Sequence, residues 1–220
     1  MKTFNWREWL IIVICIGLPI AYLASIYGSL PDIVPTHFNH KGEVDGRGEK
    51  STLLVMTLFM TGISLFTYFL VKYANKIDPK KSGQSPELLQ KIAYMLLVFL
   101  SAIQMVIIHS TQTGSLEGNK YLLPLIGLLF AGLGNFMHSI KPNYFIGMRL
   151  PWTLEDPENW RKTHQIGSKL WMAGGIAIAF ITPFFNGAPG FTITMAILAV
   201  IVIYPMIYSY RFYKKQQHEK

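Results

Sequence analysis

The chain has a single cysteine, Cys15, and only 15% charged residues among its 220. One thiol excludes an intramolecular disulfide and any multi-thiolate metal site. A soluble globular domain would carry nearer a quarter of its residues as charges, so that class is excluded too. Acid is the scarcer sign, 12 Asp and Glu against 20 Lys and Arg. A phosphate-binding glycine loop, an HExxH pair and a Cys/His cluster are all missing. The long apolar runs contain no carboxylate, and ion- or proton-coupled transport ordinarily uses one there.

What is present is apolar surface: 51% hydrophobic and 14% aromatic residues. Six runs lack Asp, Glu, Lys and Arg altogether: 9–27, 52–71, 92–108, 121–137, 170–185 and 191–210. Crossing a bilayer takes about 20 residues, with roughly 17 to 25 as the range. A charge at a helix centre costs about 2.5–3.5 kcal/mol, several times what one Leu returns. The expected fold is therefore an all-α polytopic membrane protein with six transmembrane helices. The fifth run, at 16 residues, needs Lys169 to snorkel. The first run exceeds a signal-peptide core and is flanked by Trp6 and Trp9 as interface anchors, so an uncleaved helix is expected.

With the amino end inside, inner segments hold 16 Lys and Arg, including Lys2, Lys81 and Lys220, and outer segments hold 4. The positive-inside rule then places both termini in the cytoplasm. The six histidines divide between the faces, and no nucleophile, base and orienting acid gather on one of them. We expect neither enzyme activity nor a cofactor. A lipid-modifying enzyme with His164 as base ranks last, for want of a partner acid. The net charge of +8 is accounted for by topology rather than by nucleic-acid binding.

The polar stretch Pro79–Pro86 reads as a mobile cytoplasmic connection. It suggests an N-terminal membrane region, 1–90, with two helices, an outer loop 29–50 and an inner connection 74–90. A four-helix region, 91–220, would follow, with a cytoplasmic loop 138–168. Long segments after the first and fourth helices lie on opposite faces, as a 3+3 inverted repeat would have them. Both return to the membrane through Gly-x-Lys, at 48–50 and 167–169, a match no better than coincidence. Gly127, Ala131 and Asn135, and likewise Gly175 and Ala179, recur at four-residue steps that allow close helix packing. Pro19, Pro124, Pro183 and Pro205 should kink or end helices where neighbours satisfy the freed carbonyls. Thr57, Thr61, Ser64 and Tyr68 form a polar stripe. Interhelical hydrogen bonding explains it, and a transport cavity shared with Gln104 and Asn135 is the alternative.

The outer segment LPDIVPTHFNHKGEVDGRGEK spans residues 30–50. Pro31 and Pro35 hold the backbone extended, 36–39 suits a short strand, and His40-Lys41-Gly42 and Asp45-Gly46 are turn signals. A small hairpin or lid is expected. His37, His40, Glu43 and Asp45 are zinc-ligand types, but their spacing matches no strong zinc pattern, and a hydrogen-bonding His37 is the commoner case.

The inner segment PNYFIGMRLPWTLEDPENWRKTHQIGSK spans residues 142–169. Gly147 and Pro151 should keep 143–153 irregular. Asp156 before Pro157 is an N-cap followed by proline at the first helical position. From there an interfacial helix can run into the fifth span, with Trp160, His164, Gly167 and Trp171 on one stripe and a basic face opposite. Arg149 has headgroup phosphate, Glu155, Asp156 or Glu158 as candidate partners.

These residues closely resemble the signature of the SdpI family of membrane proteins, through Asn143, Gly147, Arg149, Pro151, Trp152, Thr153, Leu154, Trp160, His164 and Gly167. Leu150 departs from it, standing where Thr is commonest. The outer segment resembles the small uncharacterised domain that often precedes that signature, through Pro35, His37, Phe38, Gly42 and Asp45, with Pro31. The resemblance implies a bacterial plasma-membrane immunity protein that protects against a secreted antimicrobial peptide. It also implies a receptor that holds an ArsR-type repressor at the membrane. On that basis the outer face, with His37 and Asp45, would meet the toxin, and the inner loop, with Arg149, Trp152 and Trp160, would meet the repressor. Membrane lipids are the remaining partner. A small-molecule or lipid transporter is the alternative reading.

Overall fold

Each uncharged run folds as a helix, because a hydrogen-bonded backbone is what an apolar segment needs in hydrocarbon. The computed structural model describes residues 6–39, 41–80, 83–118, 120–185 and 187–218. In chain order these form α1 (Trp6–Tyr27), β1 (Ile33–Phe38), β2 (Val44–Glu49), α2 (Lys50–Lys72) and α3 (Ala74–Ile77). Then follow α4 (Pro86–Thr113), α5 (Leu122–Met137), α6 (Pro151–Glu155), α7 (Pro157–Ile181), a 3-10 turn (Thr182–Phe184) and α8 (Ala188–His218). Among the described residues, α1, α2, α4, α7 and α8 are long and apolar enough to cross a membrane, and α5 is a shorter apolar helix. The protein is an all-α polytopic membrane protein. Its short member is α5, at 16 residues, and not the fifth helix as expected. The fifth, α7, gains length by starting at Pro157 and running 25 residues without a breaker.

Helices α1, α2 and α4 pack as one group, with Ile12, Cys15, Tyr68, Ala93 and Leu97 in a common core. A second cluster, including Leu23, Val34, Leu53 and Ile108, sits under the hairpin. Helices α5, α7 and α8 make the other group, and α4 meets α5. The contact of α5 with α7 is backbone on backbone. A Cβ on Gly127 would lie 2.6 Å from the Ala179 nitrogen, and one on Gly175 would lie 2.4 Å from the Ala131 nitrogen. The third residue in this seam is Gly134 and not Asn135, because the helical face advances by four and then three. Gly134 accepts from the Ser168 hydroxyl at 2.7 Å, whereas Asn135 is exposed.

Two prolines lie inside spans, Pro19 in α1 and Pro205 in α8. Proline has no N–H, so the carbonyl four residues earlier loses its helical donor. Those carbonyls belong to Cys15 and Ile201. Ser101 Oγ donates to the first at 2.6 Å and Trp171 Nε1 to the second at 3.0 Å. Pro124 lies in the first turn of α5 and Pro183 in the 3-10 turn, where no helical bond is lost.

The polar stripe of α2 ties helices together. Gln104 Nε2 donates to the Thr57 carbonyl at 3.1 Å and to Thr61 Oγ1 at 3.5 Å. Ser64 turns back to the Met60 carbonyl, and the Tyr68 hydroxyl reaches Glu8, which also pairs with Lys72. Asn135 does not join this group, which removes the shared cavity that a transport path would need. Nor do the two Gly-x-Lys steps share local structure. Gly48 is in a strand and Gly167 is inside α7.

The hairpin is an antiparallel pair, with Val34 opposite Gly48, Pro35 opposite Arg47 and Phe38 opposite Val44. The first strand is longer than expected, starting at Ile33, and its register shifts on both sides of His37. His40 lies outside the described residues, as do Lys2, Lys81 and Lys220 of the charge count.

Candidate functional site

The segment from Lys141 to Ser168 folds as a self-contained plug against the ends of α4, α5 and α8. Asn143 begins it. Its Oδ1 accepts from the amides of Phe145 and Ile146, both at 2.7 Å, and its Nδ2 donates to the carbonyls of Lys141 and Ile146. Short polar side chains stabilise turns in this way. The chain then passes Gly147, whose φ of 107° favours glycine. A Cβ there would sit 2.4 Å from His164 Nε2 and 3.2 Å from the Trp160 ring. The signature glycine therefore exists to let the backbone lie on the Trp160–His164 pair.

That pair is the centre of the plug. The rings stack at 4.0 Å between centroids and 18° between planes, and both are buried. Trp160 Nε1 donates to the Ile140 carbonyl at 2.7 Å. His164 Nδ1 lies 2.8 Å from the Trp160 carbonyl, and Nε2 accepts from the Met148 amide at 3.0 Å. These contacts assign a neutral imidazole protonated on Nδ1. With both ring nitrogens committed to backbone, His164 is not available as a general base. Gly167 completes the stripe, since a Cβ would strike Met137 Sδ at 2.8 Å and Met148 Cε at 2.9 Å.

The stretch 143–150 is irregular, as expected, but Pro151 does not extend that irregularity. It takes the first position of α6, where its missing N–H is no loss. Thr153 locks this turn. Its hydroxyl accepts from the Leu150 amide at 3.0 Å and donates to the Met148 carbonyl at 2.8 Å. The hydroxyl that matters is thus Thr153, and Leu150 contributes only backbone. Asp156 caps α7, accepting from the Glu158 amide at 2.8 Å. Arg149 pairs with none of the expected carboxylates. Its guanidinium donates to the Tyr144 carbonyl at 2.5 Å on the exposed surface, and Glu158 pairs with Lys162.

Trp152 stands apart from Trp160 and docks on α8. Its Nε1 donates to Ser209 Oγ at 2.6 Å, and its ring meets Tyr210 edge-on and stacks on Tyr213. Asn159 reaches the Ser209 carbonyl at 3.1 Å and receives the Thr163 hydroxyl at 3.0 Å. Asn159, Thr163 and Ser209 are fully buried and were missed from sequence. The signal was an Asn and a Thr four residues apart, bordering the aromatic stripe.

The connection after α2 is tied down at its ends and not mobile there. Asn75 holds the backbone of Gln84 with both side-chain atoms, at 2.7 and 2.9 Å. Gln84 in turn holds the backbone of Lys141, donating to its carbonyl at 2.6 Å and accepting from its amide at 3.1 Å. Lys80 also donates to the Leu154 carbonyl. Paired amide-to-backbone bonds imitate a sheet ladder, and they hold the described ends of this polar, breaker-rich stretch. The plug is thereby joined to α3 and to the connection before α4 as well as to α8.

At the other end of the bundle, His37 Nδ1 and Asp45 Oδ1 are 2.5 Å apart on an exposed flank of the hairpin. Glu43 is drawn instead to Asn39, which also accepts from the Lys41 and Glu43 amides. The Pro35 carbonyl accepts from Thr111 at 3.3 Å. Gly42, with φ of 84°, approaches Leu116 so closely that a Cβ would be 2.2 Å from its oxygen. Phe38 points into a groove below. The structure thus brings His37 and Asp45 together and places Pro35, Phe38 and Gly42 as docking points of the hairpin on α4 and its following loop.

Residues 139–209 match the family model described as the SdpI/YfhL protein family, and residues 13–61 match a domain of unknown function, DUF1648. The first match spans the plug and its α8 dock, and the second spans most of α1, the hairpin and the start of α2. The chain is similar to the immunity protein SdpI of Bacillus subtilis (strain 168), 28% identical over 215 residues, covering 93% of this chain and 94% of that one. No solved structure matches.

Proposed function

From the match of residues 139–209 to the SdpI/YfhL protein family and the likeness to an SdpI immunity protein, we propose that this chain is a plasma-membrane immunity protein with a receptor's two faces. The hairpin face is the outer one and meets a secreted antimicrobial peptide. The plug face is cytoplasmic and meets a repressor of the ArsR type, as the SdpI resemblance implies. The excess of Lys and Arg on the plug side supports this orientation. The observation that carries the reading is the build of the plug. Anchoring a loop at an interface needs a few aromatic residues, whereas this one is bonded to α8 through Trp152 and Asn159 and to the 74–90 connection through Gln84. A displacement of either helix group therefore moves the exposed surface around Arg149 and Trp152. A ligand shifts such a system only if it binds two states unequally.

The test is deletion of the gene and challenge with peptides secreted by the native host. Loss of survival, restored by the wild-type gene and not by Trp152→Ala, supports the reading. Unchanged survival of the deletion strain overturns it.

A further inference from the structure

Between the hairpin tip, the segment after α4 and the ends of α5, α7 and α8 lies a groove of about 470 Å³. That is within the range of about 300–1,000 Å³ typical of ligand clefts. Its floor is apolar, formed by Phe38, Leu123, Ile126, Phe191 and Met195. Ile126 is about one turn into α5 and Met195 about two turns into α8. The groove therefore begins at the helix ends and descends to hydrocarbon depth. Phe191 and Met195 are 38% and 41% exposed, so the lower end is open sideways to the bilayer.

The mouth carries Lys41, Glu117 and Lys120. Lys120 and Glu117 neutralise each other in an ion pair of 3.0 Å. Lys41 is exposed and makes no ion pair among the described residues, leaving one surplus positive charge among the groove-lining side chains. Its place is built. The Lys41 amide donates to Asn39 Oδ1 at 2.9 Å, and the next carbonyl, that of Gly42, accepts from the Leu116 amide at 3.1 Å. The hairpin tip is thereby pinned over the groove.

We propose that this groove binds one anionic glycerophospholipid, with an acyl chain along the floor and the phosphate at Lys41. A single surplus charge suits a headgroup of one net negative charge, such as phosphatidylglycerol, over a zwitterionic one. An apolar floor suits an acyl chain over an extended peptide, whose backbone N–H and C=O groups would find no partners there. The site holds whichever face of the membrane the hairpin occupies.

Native mass spectrometry of the full chain in detergent, titrated with phosphatidylglycerol or phosphatidylethanolamine, tests it. Wild type retains phosphatidylglycerol preferentially. Lys41→Gln weakens that binding about fivefold, the effect of removing one cation near an anionic headgroup, and Lys41→Arg preserves it. Met195→Trp plugs the lateral opening and reduces binding of both lipids, while Lys214→Gln at the opposite end changes neither. Thermal melts confirm that the variants fold. Equal retention of the two lipids, or phosphatidylglycerol binding unchanged by both Lys41→Gln and Met195→Trp, overturns the proposal. So does an added apolar peptide that binds wild type and loses affinity in Met195→Trp while phosphatidylglycerol binds both alike.

Discussion

Trp171 donates its indole N–H to the Ile201 carbonyl at 3.0 Å, an acceptor left open because residue 205, four positions on, is proline. The same relation holds in α1, where Ser101 serves the Cys15 carbonyl four residues before Pro19. Each proline-containing span is thus held by a side chain from another helix.

Trp171→Phe should therefore destabilise the protein by about 1–3 kcal/mol, the cost of a buried carbonyl without a donor. Pro205→Ala restores an N–H at the position that serves Ile201. In that background Trp171→Phe should cost clearly less, as unfolding curves in detergent would show. An equal cost in both backgrounds would mean that packing of the indole, and not its hydrogen bond, is what counts.

Gly147→Ala meets two obstacles, a φ of 107° and a Cβ only 2.4 Å from His164 Nε2. Strain of this kind costs about 1–3 kcal/mol on its own, and displacement of His164 exposes the Met148 amide in addition. Thermal unfolding should show a lower Tm than for Gly187→Ala, whose φ of 66° is also positive but whose added Cβ meets no atom within 4 Å. Similar losses at both positions would remove the close approach to His164 as the reason for the signature glycine.

Asn75 and Gln84 act in series on the backbone of Lys141. Gln84→Leu should loosen the connection and raise its cleavage by added protease several-fold. Asn75→Leu should do the same, and the double variant should exceed either by less than their sum, since residues sharing one network are not additive. Fully additive effects would show that the two clamps work independently.

Orientation can be settled by cysteine labelling, since the native Cys15 is buried in α1. With Cys15 replaced by Ser, a membrane-impermeant probe added to intact cells should label Glu43→Cys in the hairpin turn and spare Glu155→Cys in the plug. The reverse pattern would exchange the faces assigned to toxin and repressor.

Much of the frame was legible because charge is so costly in hydrocarbon. The six helices follow the uncharged runs, and Asp156-Pro157 announced the start of α7. The hairpin turn was readable from Gly42, but β2 was not, and Asp45-Gly46, read as a second turn signal, lies inside that strand. Its sequence VDGRGE has no apolar alternation, so only pairing with β1 makes it a strand. Within the plug, Gly147, Trp160, His164 and Gly167 stood out as a stripe with a breaker before it. Ser209, Asn159 and Gln84 did not. Small polar residues are common everywhere, and what distinguishes these is the backbone group each one meets across the fold. The α5–α7 seam was readable in its type but not its register, which is why Asn135 was placed where Gly134 belongs.

The brevity of α5 has a consequence for the surrounding lipid. Sixteen residues rise about 24 Å, short of a hydrocarbon slab roughly 30 Å thick. A longer helix relieves mismatch by tilting, but tilting only widens a deficit, and α5 is held to α7 with their glycines almost touching. Local thinning of the leaflets beside it would meet the deficit. Long-chain, thick bilayers should strain this corner of the molecule, and thin ones should relax it.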